Sequence, residues 1–287
     1  MSDNHEIDEV SGTQTTGHEW DGIRELDTPM PRWWLLTFYG TVIWGIGYMV
    51  LYPAVPLVTD YTKGVLGYSS RAELAESVQS AYDQQAGMRK KLSEASLTEI
   101  KNDPALFAFA KAGGEAAFKV NCVQCHGSGA QGSKGNPNLN DDDWLWGGSL
   151  EAIHQTIKHG IRFEEDDDTR QSDMPAFGRD ELLTEVEIKA LASHVRAFST
   201  GGGSQESVAK LYKDNCAACH GEKGEGNRDF GAPALNDQIW LYGAEEADIL
   251  TSISDSRKAV MPAWGHRLDP LTIKKLTIYV HSLGGGE

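Results

Sequence analysis

No charged residue occurs from Trp33 to Thr59. A helix from Trp33 to about Tyr52 would be roughly 30 Å long, the thickness of a bilayer's hydrocarbon core. Trp33, Trp34 and Tyr52 fall where interfacial aromatics belong. Pro29 and Pro31 precede the stretch, and Pro53 and Pro56 end it. A cleaved signal peptide fits badly, because polar, acidic residues come first and no small-x-small cleavage site follows. The pattern predicts one uncleaved transmembrane anchor, residues 32–58, after a polar segment, residues 1–31. Thr37, Thr41 and Gly45 recur on one face, where small side chains permit close approach of another helix.

The rest of the chain shows helical periodicity. Ser70 with Glu73 predicts a capped start, followed by a stripe of Leu74, Val78, Ala81 and Tyr82. Asp103-Pro104 opens the next helix. Thr184 with Glu187 starts a third near Thr184 to Phe198, and Asp269-Pro270 starts the last. Residues 59–104 thus read as a helical collar. The remainder is a repeat. Pro137-Asn-Leu-Asn140, Trp144-Leu-Trp146-Gly147 and Met174-Pro-Ala-Phe-Gly178 reappear as Pro233-Ala-Leu-Asn236, Trp240-Leu-Tyr242-Gly243 and Met261-Pro-Ala-Trp-Gly265. Residues 105–200 and 201–287 are the two modules expected. Ser199 to Ser207, with three consecutive glycines, is the linker. Glu164 to Arg170 is an insertion in the first module. The fold class expected is all-α.

Each repeat opens on the same pentapeptide, Cys122-Val-Gln-Cys125-His126 and Cys216-Ala-Ala-Cys219-His220, and these use all four cysteines. Cys-x-x-Cys-His is the attachment signature of a c-type haem: two thiols form thioethers with the porphyrin and the adjacent His supplies a proximal ligand. A redox dithiol or half a zinc site is the plainer reading of a lone Cys-x-x-Cys, but neither uses the His. Two covalent haem c are therefore expected, on Cys122/Cys125 and Cys216/Cys219. Downstream of Cys122 the only methionines are Met174 and Met261, one per repeat in matching context. With His126 and His220 they make the expected iron ligands, His126 with Met174 and His220 with Met261. A bis-His site remains open, from His154, His159, His194, His266 or His281, although His194 and His281 read as lying on a polar helix face. Trp144, Trp146, Trp240 and Tyr242 either wall the haem pockets or are plain core aromatics. Arg162 is a propionate partner or a surface residue. No catalytic residue is expected.

The net charge of −16 disfavours nucleic acid. It suits docking of a basic electron carrier, with Glu164 to Asp168 and Asp141 to Asp143 as the candidate patches; either run also reads as a solvated loop.

The module order, helix then haem motif then Met loop then helix, resembles the class I cytochrome c fold. That resemblance implies that Gly114 and Phe118 on the first helix pack against the last helix, with Val208 and Tyr212 in the second module's equivalent places. The segment Trp20-Asp-Gly-Ile-Arg-Glu-Leu-Asp27, then Pro29-Met-Pro-Arg-Trp-Trp34, one anchor and two c-type modules resemble, over essentially the whole chain, the dihaem CcoP (FixP) subunits of cbb3-type cytochrome c oxidases. The resemblance implies a subunit that relays electrons from a soluble or membrane cytochrome c, or from a bc1 complex, to a monohaem cytochrome subunit and a haem-copper catalytic subunit. It also implies a complex that reduces O2 to water and pumps protons. It further implies an inner-membrane location with the N-terminus cytoplasmic and the haem modules periplasmic, since haem attachment occurs outside the cytoplasm. A free-standing membrane-anchored dihaem shuttle, the cytochrome subunit of a periplasmic dehydrogenase and a haem-based gas sensor are the alternatives.

Overall fold

The computed structural model describes residues 6–203, 205–284 and 286. The linker residue Ser204 and the first residues of the N-terminal segment, 1–5, lie outside them. The chain divides into two compact units, residues 1–84 and 85–287.

The first unit begins with an antiparallel hairpin, β1 (Thr15–Trp20) and β2 (Ile23–Leu26). The all-α expectation did not include it. Asp21 and Gly22 both take positive φ, the conformation a tight hairpin turn demands. Helix α1 (Arg32–Leu51) follows, with mean hydropathy 1.5 over its apolar window and none of its side chains buried. In water such a surface would be costly; in lipid it is the expected one. Thr37 and Thr41 turn their hydroxyls back onto the Trp33 and Phe38 carbonyls, so the apolar surface carries no unpaired hydroxyl donor there. Helix α2 (Ser70–Glu94) is capped one residue earlier than expected. Ser69 Oγ accepts from the Ala72 amide at 3.3 Å, while Glu73 accepts from the Tyr68 hydroxyl at 2.6 Å. The Ser70–Glu73 box does not form.

In the second unit, α3 (Leu97–Asn102) starts with a capping box from Ser96 and Glu99. Helix α4 (Pro104–Asn121) starts with Asp103 accepting from the amides of Ala105 and Leu106. The short α5 (Val123–His126) carries the first haem motif, and α6 (Leu150–His159) follows. Helix α7 (Glu185–Thr200) has the Thr184–Glu187 capping box in full. Helix α8 (Glu206–Asn215) leads into α9 (Ala217–His220), which carries the second motif. Helices α10 (Glu246–Asp255) and α11 (Pro270–His281) complete the chain, Asp269 capping the last.

The order of packing differs from the order of sequence. Helix α4 packs chiefly against α11, and α6 also packs against α11, whereas α7 packs against α8 and α10. Each repeat therefore closes on the final helix of the other. Gly114 makes the first contact intimate: a Cβ there would run into the Lys275 carbonyl and Tyr279. In the second module α8 meets α7 with Val208 and no glycine; Tyr212 stacks edge-on to Phe198 and His194. A third cluster, with Leu92, Ile100, Leu106, Ala110, Leu150 and Ile278, draws residues 85–102 into this body. Lys274 Nζ donates to the Ser93 and Ala95 carbonyls at 2.9 and 2.7 Å, capping the end of α2.

Candidate functional site

A single cavity of about 800 Å3 runs through the second unit and is lined by both pentapeptides and both candidate methionines. The turn that ends each motif depends on a glycine: Gly127 and Gly221 have φ of 80° and 81°, and their amides cap back onto Val123 and Ala217. Each motif His is oriented the same way. His126 Nδ1 donates to the Pro137 carbonyl at 3.1 Å and His220 Nδ1 to the Pro233 carbonyl at 3.0 Å. The proton on Nδ1 leaves Nε2 with its lone pair, the tautomer an iron ligand requires. Burial, partly offset by those carbonyls, lowers both imidazole pKa values, so both rings stay neutral. Burial also raises the Cys122 and Cys216 thiols to about 11. Cys125 and Cys219 are the exposed partners.

The methionines are traded between repeats. Met261 packs with Cys122, Val123, Trp144 and Trp264 on the cluster of Phe118, Ile153, Ile157, Leu276 and Val280. Met174 packs with Cys216, Ala217 and Trp240 on the cluster of Phe177, Leu191, Val195, Tyr212 and Ile253. The structure thus sets Met261 beside the Cys122–His126 motif and Met174 beside the Cys216–His220 motif, the reverse of the expected pairing of His126 with Met174 and His220 with Met261. Backbone bonds fix the exchange. Ile161 and Met261 bond each other through both amides at 2.9 and 3.0 Å, and Trp264 donates to the Ile157 carbonyl at 3.1 Å, on the end of α6. Phe177 and Gly178 donate to the Ile253 and Ser254 carbonyls, both at 3.1 Å, on the end of α10. Gly160, at φ 71°, is the point where the Met261 strand crosses; a Cβ there would strike the Met261 carbonyl. Its counterpart Ser256, at φ 55°, donates its hydroxyl to the Met174 carbonyl.

Trp144, Trp146, Trp240 and Tyr242 all line the cavity, as do Arg162 and Asp143. Burial, together with Asp237 and Asp141, pushes the Asp143 carboxyl up to about 6. Among the described residues none of the other candidate histidines lines the cavity. His194 is half-buried among Phe198 and Tyr212, with an orphaned Nδ1, and His281 is buried beside Lys101. Neither sits on a polar helix face. His159 and His266 both bind Asp166, at 3.0 and 3.1 Å. That buried aspartate sits within the run Glu164 to Asp168, so one residue of the proposed acidic patch serves a fold contact. The sequence reading missed Arg170 and Arg257, which lie over Trp146 and Tyr242 at 5.3 and 4.9 Å. Their placement four residues before each methionine was the signal.

The donor set fits haem c twice: a paired thiol, a neutral imidazole and a thioether face one apolar, aromatic-walled cavity at each end. Residues 12–59 match the family model for the N-terminal domain of cytochrome oxidase-cbb3, FixP. Residues 109–195 and 203–280 match that for cytochrome c oxidase, cbb3-type, subunit III. The chain is 51% identical to the cbb3-type cytochrome c oxidase subunit FixP of Bradyrhizobium sp. (strain ORS 278), over all of both chains. It is 52% identical to subunit FixPc of Rhizobium leguminosarum bv. viciae, again over all of both. It is 49% identical to subunit CcoP of Cereibacter sphaeroides, over 95% of each. These full-length matches decide between the readings left open by the sequence: the chain belongs to the FixP/CcoP family, the membrane-anchored cytochrome c electron-transfer subunits of cbb3-type cytochrome c oxidases.

Proposed function

We propose that the chain carries two haem c, one on Cys122 and Cys125 with His126 and Met261 as iron ligands, one on Cys216 and Cys219 with His220 and Met174. Haem c, when bound, supplies a one-electron couple that a Met ligand shifts to higher potential. The protein's share is positional. The Pro137 and Pro233 carbonyls hold each imidazole in its ligand tautomer, and the aromatic walls exclude water. With both axial positions filled by protein, no site is open to O2, which suits a carrier. The observation that carries the reading is the repeated arrangement of thiols, Nδ1-anchored His and Met around one cavity.

The subunit would accept electrons from a soluble or membrane cytochrome c, or from a bc1 complex. It would pass them to a monohaem subunit and the haem-copper catalytic subunit. Helix α1 would anchor it in the bacterial inner membrane, with the N-terminus cytoplasmic and the cytochrome body periplasmic. Mild-detergent purification with haem typing tests this: two c haems per chain, co-purifying with b haems, is the expected result. A chain that purifies alone, or with one c haem, would contradict it.

A further inference from the structure

The two Met loops are held by one interaction that occurs twice and one that occurs once. Arg170 Nε donates to Thr156 Oγ1 at 2.9 Å, and Arg257 Nε donates to Ser252 Oγ at 3.1 Å. Thr156 and Ser252 stand at the same place in α6 and α10, so these contacts are twins. Arg162 has no twin. Residues 160–169 separate α6 from Arg170, whereas Ser256 alone separates α10 from Arg257. Arg162 belongs to that extra segment. Its Nε donates to the Ser172 carbonyl at 2.8 Å and its Nη1 to the Ala259 carbonyl at 3.0 Å. Ser172 lies two residues before Met174 and Ala259 two before Met261, so one guanidinium grips the equivalent carbonyl in both loops. A planar fork with fixed donor directions is suited to holding two strands in register.

The surroundings reinforce the grip. Asp173, next to Met174, lies 3.2 Å from Arg162 Nε, and Lys258, three residues before Met261, donates to Asp173 at 2.7 Å. Two cations and one carboxylate leave a net positive charge. Arg162, Asp173 and Lys258 all line the common cavity, and the Arg162 side chain is 20% exposed. Arg162 itself takes φ 53°, a left-handed conformation that a non-glycine residue adopts only when its surroundings hold it there. The paired amides of Ile161 and Met261 hold the backbone there.

We propose that Arg162 is a positioning residue shared by both haem sites. It registers the Met174 and Met261 loops against each other and sets a fixed positive charge in the wall common to both, so the two potentials are tuned jointly. The inference rests on Met174 and Met261 being the axial ligands. A nearby cation disfavours the more positive oxidised iron, so losing it lowers the potential.

The test uses the full haem-loaded chain in its membrane complex, with Arg162→Gln and the milder Arg162→Lys. The readouts are a spectroelectrochemical titration and the near-infrared methionine-to-iron charge-transfer band. In R162Q both midpoint potentials fall and the band weakens for both haems. In R162K, which keeps the charge and loses the fork, both shift in the same direction by less. A shift confined to one haem, or none, with a folded, fully loaded protein, overturns the inference. The wild-type chain separates the two claims: absence of the methionine band from either haem would remove the ligand assignment itself and the inference with it.

Discussion

At Gly114 a side chain has no room, because the Lys275 carbonyl and Tyr279 occupy the space a Cβ would need. Backbone cannot step aside as a flexible side chain can, so Gly114→Val forces α4 and α11 apart. Overpacking of this kind costs about 1–3 kcal/mol, and the thermal midpoint of the haem-loaded protein should fall by several degrees. Loss should concentrate in the first haem site, since α4 leads directly into Cys122. An unchanged melting curve would show that the close contact is not structural. Much at this scale was legible. The repeated Cys-x-x-Cys-His spacing is a local pattern, so Cys122 to His126 and Cys216 to His220 stood out, and the structure brings both to one cavity. Thr184 with Glu187 and Asp269 with Pro270 are equally local signals, and both caps form. The misreadings were His194 and His281, whose helix faces looked polar; Phe198 is one turn on from His194 in α7, but the neighbours that close each site, Tyr212 and Lys101, come from elsewhere in the sequence.

Among elements, the exchange of C-terminal segments is what the sequence could not disclose. Met174 and Met261 sit in the same Met-Pro-Ala-aromatic-Gly context, so pattern alone cannot say which faces which motif. Chain proximity favours the nearer one. The decision lies in distant contacts: Ile161 with Met261, Phe177 with Ile253, and Ser256 with Met174. The segment between α6 and Arg170 strengthens the exchange through Asp166, which joins His159 at the end of α6 to His266 beyond Met261. Burial alone would raise this carboxyl. The hydrogen bonds from His159, the Asp168 amide and His266 outweigh it and hold Asp166 below its ordinary 3.8. A carboxyl lowered on folding stabilises the fold above its unfolded value and loses that contribution as pH falls through the folded one. Thermal melts taken downward from neutral pH should therefore show an acid-side loss below about 3.8 that Asp166→Asn flattens. Parallel profiles for the two proteins would show that the clasp does not contribute.

For the whole molecule, the net charge of −16 is the property a partner meets first. Opposite potentials accelerate encounter and salt screens them over about 8–10 Å at ordinary ionic strength. Electron delivery from a basic soluble cytochrome should slow steadily as salt rises; a flat rate would remove acidic steering. Of the candidate patches, Asp143 is half-buried with its carboxyl raised to about 6 and Asp166 is buried. The exposed Asp142, Glu164, Glu165, Asp167 and Asp168 are therefore the residues left to face a carrier. The anchor was legible because a lipid-facing helix must be apolar all round, and α1 has no buried side chain. The hairpin before it was missed, since Thr15 to Leu26 lacks a strand's apolar alternation. The exchange makes the two repeats one body in which the two Cys-x-x-Cys-His motifs share the walls of one cavity. An experimental structure of the haem-loaded oxidase complex tests that most directly. The Met261 sulfur should lie on the iron of the haem bound at Cys122 and Cys125, with Met174 on the other. Met174 on the first iron would contradict the account.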